Sequence, residues 1–518
     1  MSFKKDDLTS KQLDSKGRSK WAVFLPALSS FYSTYVGKQR HNPTNVDPAR
    51  IPADFEHGIE GLNWLNPQEA YFPYKWALYS AGHADLDVHR VSPKEDMVRN
   101  RDRKNSFVLG DSGGFQIGKG VWEGDWKDPS CPKASQKRKQ VLEWLDAYMD
   151  RGMILDIPAW VARSPAGAKA TGISTYEEAV KATEINNDYF MKNRNGNCKF
   201  LNVLQGENHT DADRWYNTMK HYCDPSKHEQ PFEGWAMGGQ NMCSPTLALK
   251  RLVTLREDKL LEKGLHDWMH FLGTSKLEWA VLLTDMQNAV RKHHNEDFTI
   301  SFDCASPFLA TANGQIYTTN EFTDRKKWAY RMNPSVDNKK YATDTRRFRD
   351  ALLADGIFTK FDESPISERM TIRDICIYKP DDLNKIGKEG RTSWDSFSYA
   401  LQMGHNVHRH LDAVQQANML YETKTSCPSM LVDERHDRLY FTQLVDEIFA
   451  SDTGRALELI EDHDKFLTKI IGTRGATGKK ETNAGTFYGT LFEEEVSEHH
   501  IDDSGFNENA LDDLEKDL

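Results

Sequence analysis

Six short apolar runs recur through the first 310 residues, and each is followed by a polar residue or a glycine. The runs cover residues 107–109, 153–155, 200–204, 234–237, 270–272 and 299–302. Amphipathic segments lie between them, among them residues 177–191, 211–221, 247–263 and 277–293. Alternation of strands and helices at this spacing is typical of a parallel α/β architecture. We therefore expect an α/β fold of the (β/α)8 TIM-barrel type, with a doubly wound sheet as the alternative.

Three of the residues that follow these runs are aspartates, namely Asp111, Asp156 and Asp303. In a TIM barrel they would meet at the carboxyl ends of the strands, where active sites of this fold lie. A single aspartate at a strand end is more often a helix cap or a loop residue. Together, two carboxylates suit glycosyl transfer by double displacement, and a third beside a glutamine can bind the edge of a guanine-like base.

Chain length, cysteine spacing and the lengths of the apolar runs limit the class of protein to which this chain can belong. The chain has 518 residues, enough for two to four domains. Its seven cysteines are scattered, the closest two being 20 positions apart, which argues against a disulfide framework and a paired-cysteine zinc site. No run of about eighteen apolar residues occurs, and residues 1–19 are polar. We expect a cytoplasmic protein with no membrane contact.

Charge is distributed unevenly along the chain. The formal net charge is −11, but residues 491–518 hold 11 Asp or Glu and one Lys, so the rest is nearly neutral. A basic cluster lies within residues 325–349, and its alternative interpretation is a solvated face paired with neighbouring acids.

A long helix is predicted over residues 398–421. We expect an N-terminal segment (1–20), a catalytic barrel (21–320), a basic and helical subdomain (321–472), and a linker with an acidic tail (473–518).

The most specific motif occupies residues 110–118, Gly-Asp-Ser-Gly-Gly-Phe-Gln-Ile-Gly. It directly follows an apolar run, so it is interpreted as a strand that delivers Asp111 into a loop. Two adjacent glycines let the backbone approach a flat ligand closely, and Phe115 is placed to stack on such a ligand. The motif predicts a carboxylate-bearing pocket for a planar molecule.

Residues 111–116, Asp-Ser-Gly-Gly-Phe-Gln, resemble a signature of the tRNA-guanine transglycosylase superfamily. The stretch Phe302-Asp303-Cys304 with Pro307 and 313–315, Asn-Gly-Gln, resembles a second one. Gln205-Gly206 and Gly238-Gly239 match intervening motifs in the family's order. The resemblance covers roughly residues 105–320. It implies a TIM-barrel enzyme, a pentosyltransferase that replaces guanine in a polynucleotide by a 7-deazaguanine.

The resemblance also implies roles for individual residues. Asp303 would be the nucleophile that attacks C1′, and Asp111 would act in proton transfer. Cys304, beside the nucleophile, lacks a histidine-based activation motif and is interpreted as a packing residue. The match at Asp156 is the loosest. The base would be bound by Asp156, Gln205, Gly238, Gly239, Ser112 and Gly114, with Phe115 stacking on it.

Two departures from the family pattern bear on the substrate. The tRNA enzymes carry arginines between the proline and the Asn-Gly-Gln motif, whereas residues 308–312 contain no cation. The family's C-terminal Cys-x-Cys-x-x-Cys and His zinc motif is also absent, although residues 398–421 resemble the helix of that zinc subdomain. The resemblance thus implies a diverged C-terminal α-rich subdomain and no cofactor. A metal site involving His405 and His408 is the less favoured alternative.

These departures favour a branch of the family that occurs in phages and bacterial modification clusters. That branch exchanges guanine in DNA for 7-deazaguanine derivatives and so hides DNA from restriction nucleases. The expected partners are DNA and a free 7-deazaguanine such as preQ0, in the host cytoplasm if the gene is a phage gene; a homodimer remains open. The alternatives are a tRNA enzyme, a non-catalytic nucleic-acid-binding paralogue and an unrelated barrel glycosidase. Expected nucleic-acid contacts are Arg325, Lys326, Lys327, Arg331, Arg346 and Arg347.

Overall fold

The computed structural model describes residues 3, 5–377, 394–435 and 439–471. Its centre is an all-parallel sheet of eight strands, in which β8 lies between β7 and β1 and the other strands follow in chain order. A parallel bridge between Ala27 and Leu78 joins the two edge strands, β1 and β2, so the barrel is nearly closed. The strands are β1 (Val23–Pro26), β2 (Trp76–Ser80), β3 (Phe107–Asp111), β4 (Arg151–Met153), β5 (Lys199–Leu204), β6 (Trp235–Met237), β7 (Trp268–Phe271) and β8 (Thr299–Cys304).

This order confirms the prediction of a TIM-type barrel, and the doubly wound alternative is wrong. The six apolar runs correspond to β3 to β8. The sequence analysis missed β1 and β2. All four residues of β1 are buried, but no polar or glycine residue follows this strand directly, so the pattern that marked the other strands does not mark it.

Helices surround the barrel, and the four predicted amphipathic segments are confirmed as α8 to α11. Side-chain oxygens of Thr175 and Ser244 accept hydrogen bonds at the amino ends of α8 and α10 and fix where these helices begin. The helices up to the end of the barrel are α1 (Leu8–Gln12), α2 (Ser30–Tyr35), α3 (Lys38–His41), α4 (Asp96–Arg99), α5 (Gly114–Gly118), α6 (Pro132–Tyr148), α7 (Pro165–Thr171), α8 (Tyr176–Asn193), α9 (His209–Met219), α10 (Pro245–Glu257), α11 (Leu277–His293) and α12 (Ser306–Ala312).

Large side chains fill the barrel near the amino ends of its strands. The rings of Phe107 in β3 and Trp268 in β7 stack across the interior with centroids 4.5 Å apart. The guanidinium of Arg151 in β4 lies 5.4 Å from the Trp268 ring. Each of these residues is the first of its strand. Because this end is filled, space for a ligand is expected at the carboxyl ends.

The chain beyond the barrel packs back onto it. The predicted helix over residues 398–421 is confirmed as α14, which is buried along most of its length. Asn406 accepts a 2.9 Å hydrogen bond from the Tyr317 amide, and Gln415 donates one of 2.8 Å to the Leu8 carbonyl of α1. The elements of this region are β9 (Gln315–Glu321), β10 (Ala329–Pro334), α13 (Phe348–Ala354), α14 (Ser396–Glu422), β11 (Val432–Asp433), β12 (Leu439–Tyr440), α15 (Phe441–Ala450), α16 (Thr453–Asp462) and α17 (Asp464–Ile471).

The predicted linker and acidic tail, 473–518, lie outside the described residues, and the proposed domain boundaries stay a prediction. Within the described ranges, no helix has both the length and the apolar character needed to cross a membrane.

Candidate active site

Asp111 ends β3 at the mouth of the barrel. The register of β2 and β3 pairs Ser80 with Asp111, and the Ser80 hydroxyl donates a hydrogen bond of 2.5 Å to Asp111 Oδ2. Burial raises the pKa of Asp111, and the negative charge of Asp303 adds to this effect. A carboxyl with a raised pKa is suited to carry and return a proton.

Asp303 lies near the end of β8, and a backbone N–H and an imidazole nitrogen hold its carboxylate. The Gly273 amide, just after β7, donates to Asp303 Oδ1 over 2.9 Å, and His270 Nε2 lies 3.2 Å from the same oxygen. A backbone N–H donor stabilises the ionised form of a carboxylate. The arrangement suits an anionic nucleophile.

Asp156 lies three residues beyond β4 and is buried. The Gln205 side-chain amide, which follows β5, donates a 2.8 Å hydrogen bond to Asp156 Oδ2. Burial, together with the negative charge of Asp111, raises the pKa of Asp156 to about 7. The pair presents a carboxylate beside an amide, the groups that recognise the donor and acceptor edge of a guanine-like base.

The glycines of the predicted motifs allow the chain to pass close to these side chains. A Cβ on Gly114 would lie 2.6 Å from the Asp156 carbonyl oxygen, and one on Gly238 would lie 2.8 Å from Gln205 Nε2. Gly239 has a φ of +57°, and a Cβ there would lie 2.5 Å from the Gly206 carbonyl oxygen. Side chains at these positions would displace the Asp156 and Gln205 pair.

Ser112 and Phe115 border the same loop. Ser112 is buried, and within the described residues its hydroxyl has no hydrogen-bond partner. An unpaired buried hydroxyl is costly, so a ligand that bonds to it gains affinity. The Phe115 ring lies 5.8 Å from the Trp160 ring and is only partly buried. Phe115 therefore keeps some ring surface accessible.

The structure brings most of the predicted site residues together at the carboxyl ends of the strands. The electrostatic effects of Asp303 on Asp111 and of Asp111 on Asp156 place the three carboxylates within one network. This clustering arises from the barrel, because β3, β4 and β8 end on the same side.

The predicted nucleic-acid contacts lie in the segments after the barrel. Lys326 and Lys327 are exposed between β9 and β10, near Arg325, whose side chain bonds to the Cys427 carbonyl oxygen. Arg331 lies in β10. Arg346 pairs with Asp344 and Asp355, and Arg347 pairs with Asp54 at 2.8 Å. These two arginines match the alternative interpretation, a surface paired with neighbouring acids.

The histidines of α14 do not fit the zinc site of the resembled family. His405 Nδ1 lies 2.8 Å from the Ser364 hydroxyl and its Nε2 lies 2.9 Å from the Tyr317 carbonyl oxygen. His408 Nε2 lies 2.9 Å from Asp6 Oδ2. Both nitrogens of His405 are thus engaged. No group of three metal-ligating side chains occurs in the part of the chain that the structure describes.

Sequence reasoning missed several polar residues that support the site. These include His270, Ser301 and Asn241, all fully buried. The Asn241 amide donates to the Leu204, Gln205 and Gly238 carbonyl oxygens over 3.2–3.3 Å and ties the ends of β5 and β6 together. Ser301 could have been identified from the sequence, because it lies two positions before Asp303 and therefore on the same face of the strand.

Comparison of the sequence with known proteins finds no protein family whose model matches the chain and no curated protein that matches it.

Proposed function

We propose that this protein is a DNA-guanine transglycosylase that exchanges guanine in DNA for a 7-deazaguanine derivative. The observation that carries the proposal is the carboxylate network of Asp111, Asp156 and Asp303 at the barrel mouth, with Gln205 bonded to Asp156. Asp303 lies beside the Gly273 N–H and the His270 ring, whereas Asp111 is buried and has a raised pKa. Such a difference in environment suits Asp303 to act as the nucleophile and Asp111 as the proton carrier.

In the first half of the reaction, an Asp303 oxygen attacks C1′ of a deoxyguanosine. The Asp303 O–C1′ bond forms while the C1′–N9 bond breaks, and the bonding electrons leave with guanine. Asp111 gives its proton to the departing base, so the base leaves neutral and Asp111 becomes ionised. The products are free guanine and a covalent glycosyl-enzyme, in which C1′ of the abasic deoxyribose is bonded to Asp303.

In the second half, a free 7-deazaguanine replaces guanine in the pocket. Asp111 takes the proton from N9, and N9 attacks C1′ as the Asp303 O–C1′ bond breaks. Both aspartates return to their initial protonation states. Side chains supply this chemistry, and we propose no cofactor for it.

Recognition of the base is assigned to the buried pair. An ionised Asp156 accepts hydrogen bonds from N1–H and the exocyclic amine, and Gln205 bonds to the same edge. The Ser112 hydroxyl supplies a further bond, and Phe115 stacks on the ring. Gly114, Gly238 and Gly239 let the backbone pack closely against Asp156, Gln205 and Gly206, and so help to hold this binding pair in place.

DNA is preferred over tRNA because the arginines that the family's tRNA enzymes carry after the proline are absent. In their place, α12 presents buried Phe308, Ala310 and Thr311. A guanine must leave the base stack before attack at C1′, which costs a few kcal/mol in a duplex. We therefore propose single-stranded or locally melted DNA as the preferred form, and protection from restriction nucleases as the outcome.

The region after the barrel is proposed to be a diverged form of the family's zinc subdomain, organised by α14 without the metal. The proposed location is the cytoplasm of the host cell, with DNA and a base such as preQ0 as partners. A tRNA enzyme and a non-catalytic nucleic-acid-binding paralogue remain the alternatives.

The test is nucleoside mass spectrometry of DNA and tRNA from cells that express the protein and are supplied with 7-deazaguanines. A deazaguanine 2′-deoxynucleoside in DNA that disappears with Asp303→Ala would support the proposal. A modified ribonucleoside in tRNA alone would favour the tRNA enzyme. Modification of neither polymer, with purified protein that binds DNA, would favour the non-catalytic paralogue.

A further inference from the structure

We infer that His270, held in one tautomer by Ser301, is a positioning residue that directs Asp303 Oδ2 towards C1′. The inference rests on the proposed function, in which Asp303 is the nucleophile. It assigns a role to two residues and a reacting oxygen that no motif identified.

A chain of hydrogen bonds runs from the barrel interior to Asp303. Trp268 Nε1 lies 2.8 Å from Ser301 Oγ, and Ser301 Oγ lies 2.9 Å from His270 Nδ1. An indole N–H only donates, so it occupies an acceptor site of the Ser301 oxygen. The Ser301 hydrogen is then available to His270 Nδ1.

The direction of this chain fixes the state of the imidazole. Because Nδ1 accepts from Ser301, the neutral ring carries its hydrogen on Nε2. Nε2 lies 3.2 Å from Asp303 Oδ1, so the ring donates to the carboxylate. In the other tautomer, two lone pairs would face each other at this contact.

The strand register makes the arrangement rigid. His270 in β7 lies directly opposite Ser301 in β8, and Asp303 follows Ser301 by two residues on the same face. His270 and Ser301 are fully buried. The Trp268 ring is in turn held by its stack with Phe107.

The donors also distinguish the two oxygens of Asp303. His270 and the Gly273 amide both act on Oδ1, while Oδ2 accepts no hydrogen bond from the described residues. Oδ2 is thus the oxygen with its lone pairs available for attack. The carboxyls of Asp111 and Asp303 interact electrostatically, and His83 acts on Asp111 in turn. In the proposed first step Asp111 is protonated when Asp303 attacks.

The experiment compares the full-length wild type with three substitutions. His270→Phe keeps a planar ring and removes the donor. His270→Gln keeps an N–H donor at a similar distance from the backbone. Ser301→Ala leaves the imidazole in place but removes the group that selects its tautomer.

Guanine release is measured at pH 8, above the pKa of Asp156, from single-stranded DNA labelled in its guanines, with preQ0 as the incoming base. The covalent DNA–protein complex is followed on denaturing gels. Free-base affinity is measured by calorimetry as a test of folding, since the Asp156 pocket does not include His270. Asp303→Ala is assayed in parallel.

We expect His270→Phe to slow formation of the covalent complex about 10- to 100-fold, the effect of losing one hydrogen bond to a charged group. Ser301→Ala should show a smaller loss of rate, and His270→Gln should recover much of the rate lost in His270→Phe. Base affinity should be unchanged in all three.

A His270→Phe protein with the wild-type rate would overturn the inference. So would a rate loss that is equal in His270→Gln and His270→Phe, since that result indicates packing alone. If wild type releases no guanine and forms no covalent complex, the proposed function itself fails, which is a different result.

Discussion

The Gln205 side-chain amide donates a 2.8 Å hydrogen bond to the buried Asp156 carboxylate, and the two residues come from the ends of neighbouring strands. Burial raises the pKa of Asp156 to about 7. In the free protein, Asp156 therefore exchanges its proton near neutral pH. A base that presents N–H donors needs the ionised carboxylate, so base binding and this ionisation are coupled.

We predict that affinity for guanine or preQ0 depends on pH through Asp156. Below pH 7 the carboxyl must lose a proton to accept two N–H bonds, so the dissociation constant should rise about tenfold per pH unit. Above pH 7 the affinity should level off. Calorimetry at pH 5.5 to 8.5 measures this dependence.

Asp156→Asn is the matched variant. It should bind the base more weakly than wild type above pH 7 and show a nearly flat profile. A variant with the same pH dependence as wild type would assign the titration to another group.

Substitutions at Asp303 should separate chemistry from binding. Asp303→Ala should abolish base exchange because no nucleophile remains, and Asp303→Asn should do so while base affinity stays largely intact. Radiolabel exchange into single-stranded DNA and calorimetry measure the two properties. Wild-type turnover in Asp303→Ala would rule out the nucleophile assignment.

Ser112→Ala should weaken base binding without weakening the fold. The buried hydroxyl has no partner among the described residues, so its removal costs the free protein nothing and can raise its melting temperature. Loss of a bond to the ligand should reduce affinity roughly 5- to 10-fold. Thermal unfolding and calorimetry on one preparation give both values. A lower melting temperature with unchanged affinity would place Ser112 outside the pocket.

Asp285 should make the stability of the protein depend on pH. It lies in α11, buried, and accepts hydrogen bonds of 2.7 Å from Tyr421 of α14 and 2.8 Å from Thr442 of α15. Burial raises the pKa of Asp285 to about 7. The folded state therefore binds more protons than the unfolded state between about pH 4 and 7, and the contribution of Asp285 to stability falls as pH rises through that window.

Asp285→Asn removes this ionisation, so the melting temperature of the variant relative to wild type should rise by roughly 2–5 °C from pH 5 to 8. Asp446→Asn is the control of opposite sign, because the Lys292 ammonium and His293 lower the pKa of Asp446. Its melting temperature relative to wild type should fall from pH 3 to 6. A difference between Asp285→Asn and wild type that does not change with pH would show that Asp285 stays in one protonation state.

The local pattern of apolar and polar residues predicts much of the fold. Apolar runs such as residues 299–302 and amphipathic segments such as 277–293 record strand and helix directly, because side-chain periodicity is a property of consecutive residues. The same runs place Asp111 and Asp303 at strand ends, and strand ends of a parallel barrel share one side. β1 was missed because no polar or glycine residue follows it directly. β2 was missed although residues 76–79 form an apolar run followed by Ser80, because this run was not recognised among the others.

By itself, then, the sequence determined the parallel α/β barrel, the helix α14 and the aspartates that end β3 and β8. Only the tertiary structure decided which side chains meet across strands: Ser80 with Asp111, His270 with Asp303, and Asp285 with Tyr421. These contacts depend on the register of neighbouring strands and on the packing of segments up to 136 residues apart. Neither is encoded in the periodicity of a single segment, because both are set by closure of the barrel and burial of its helices.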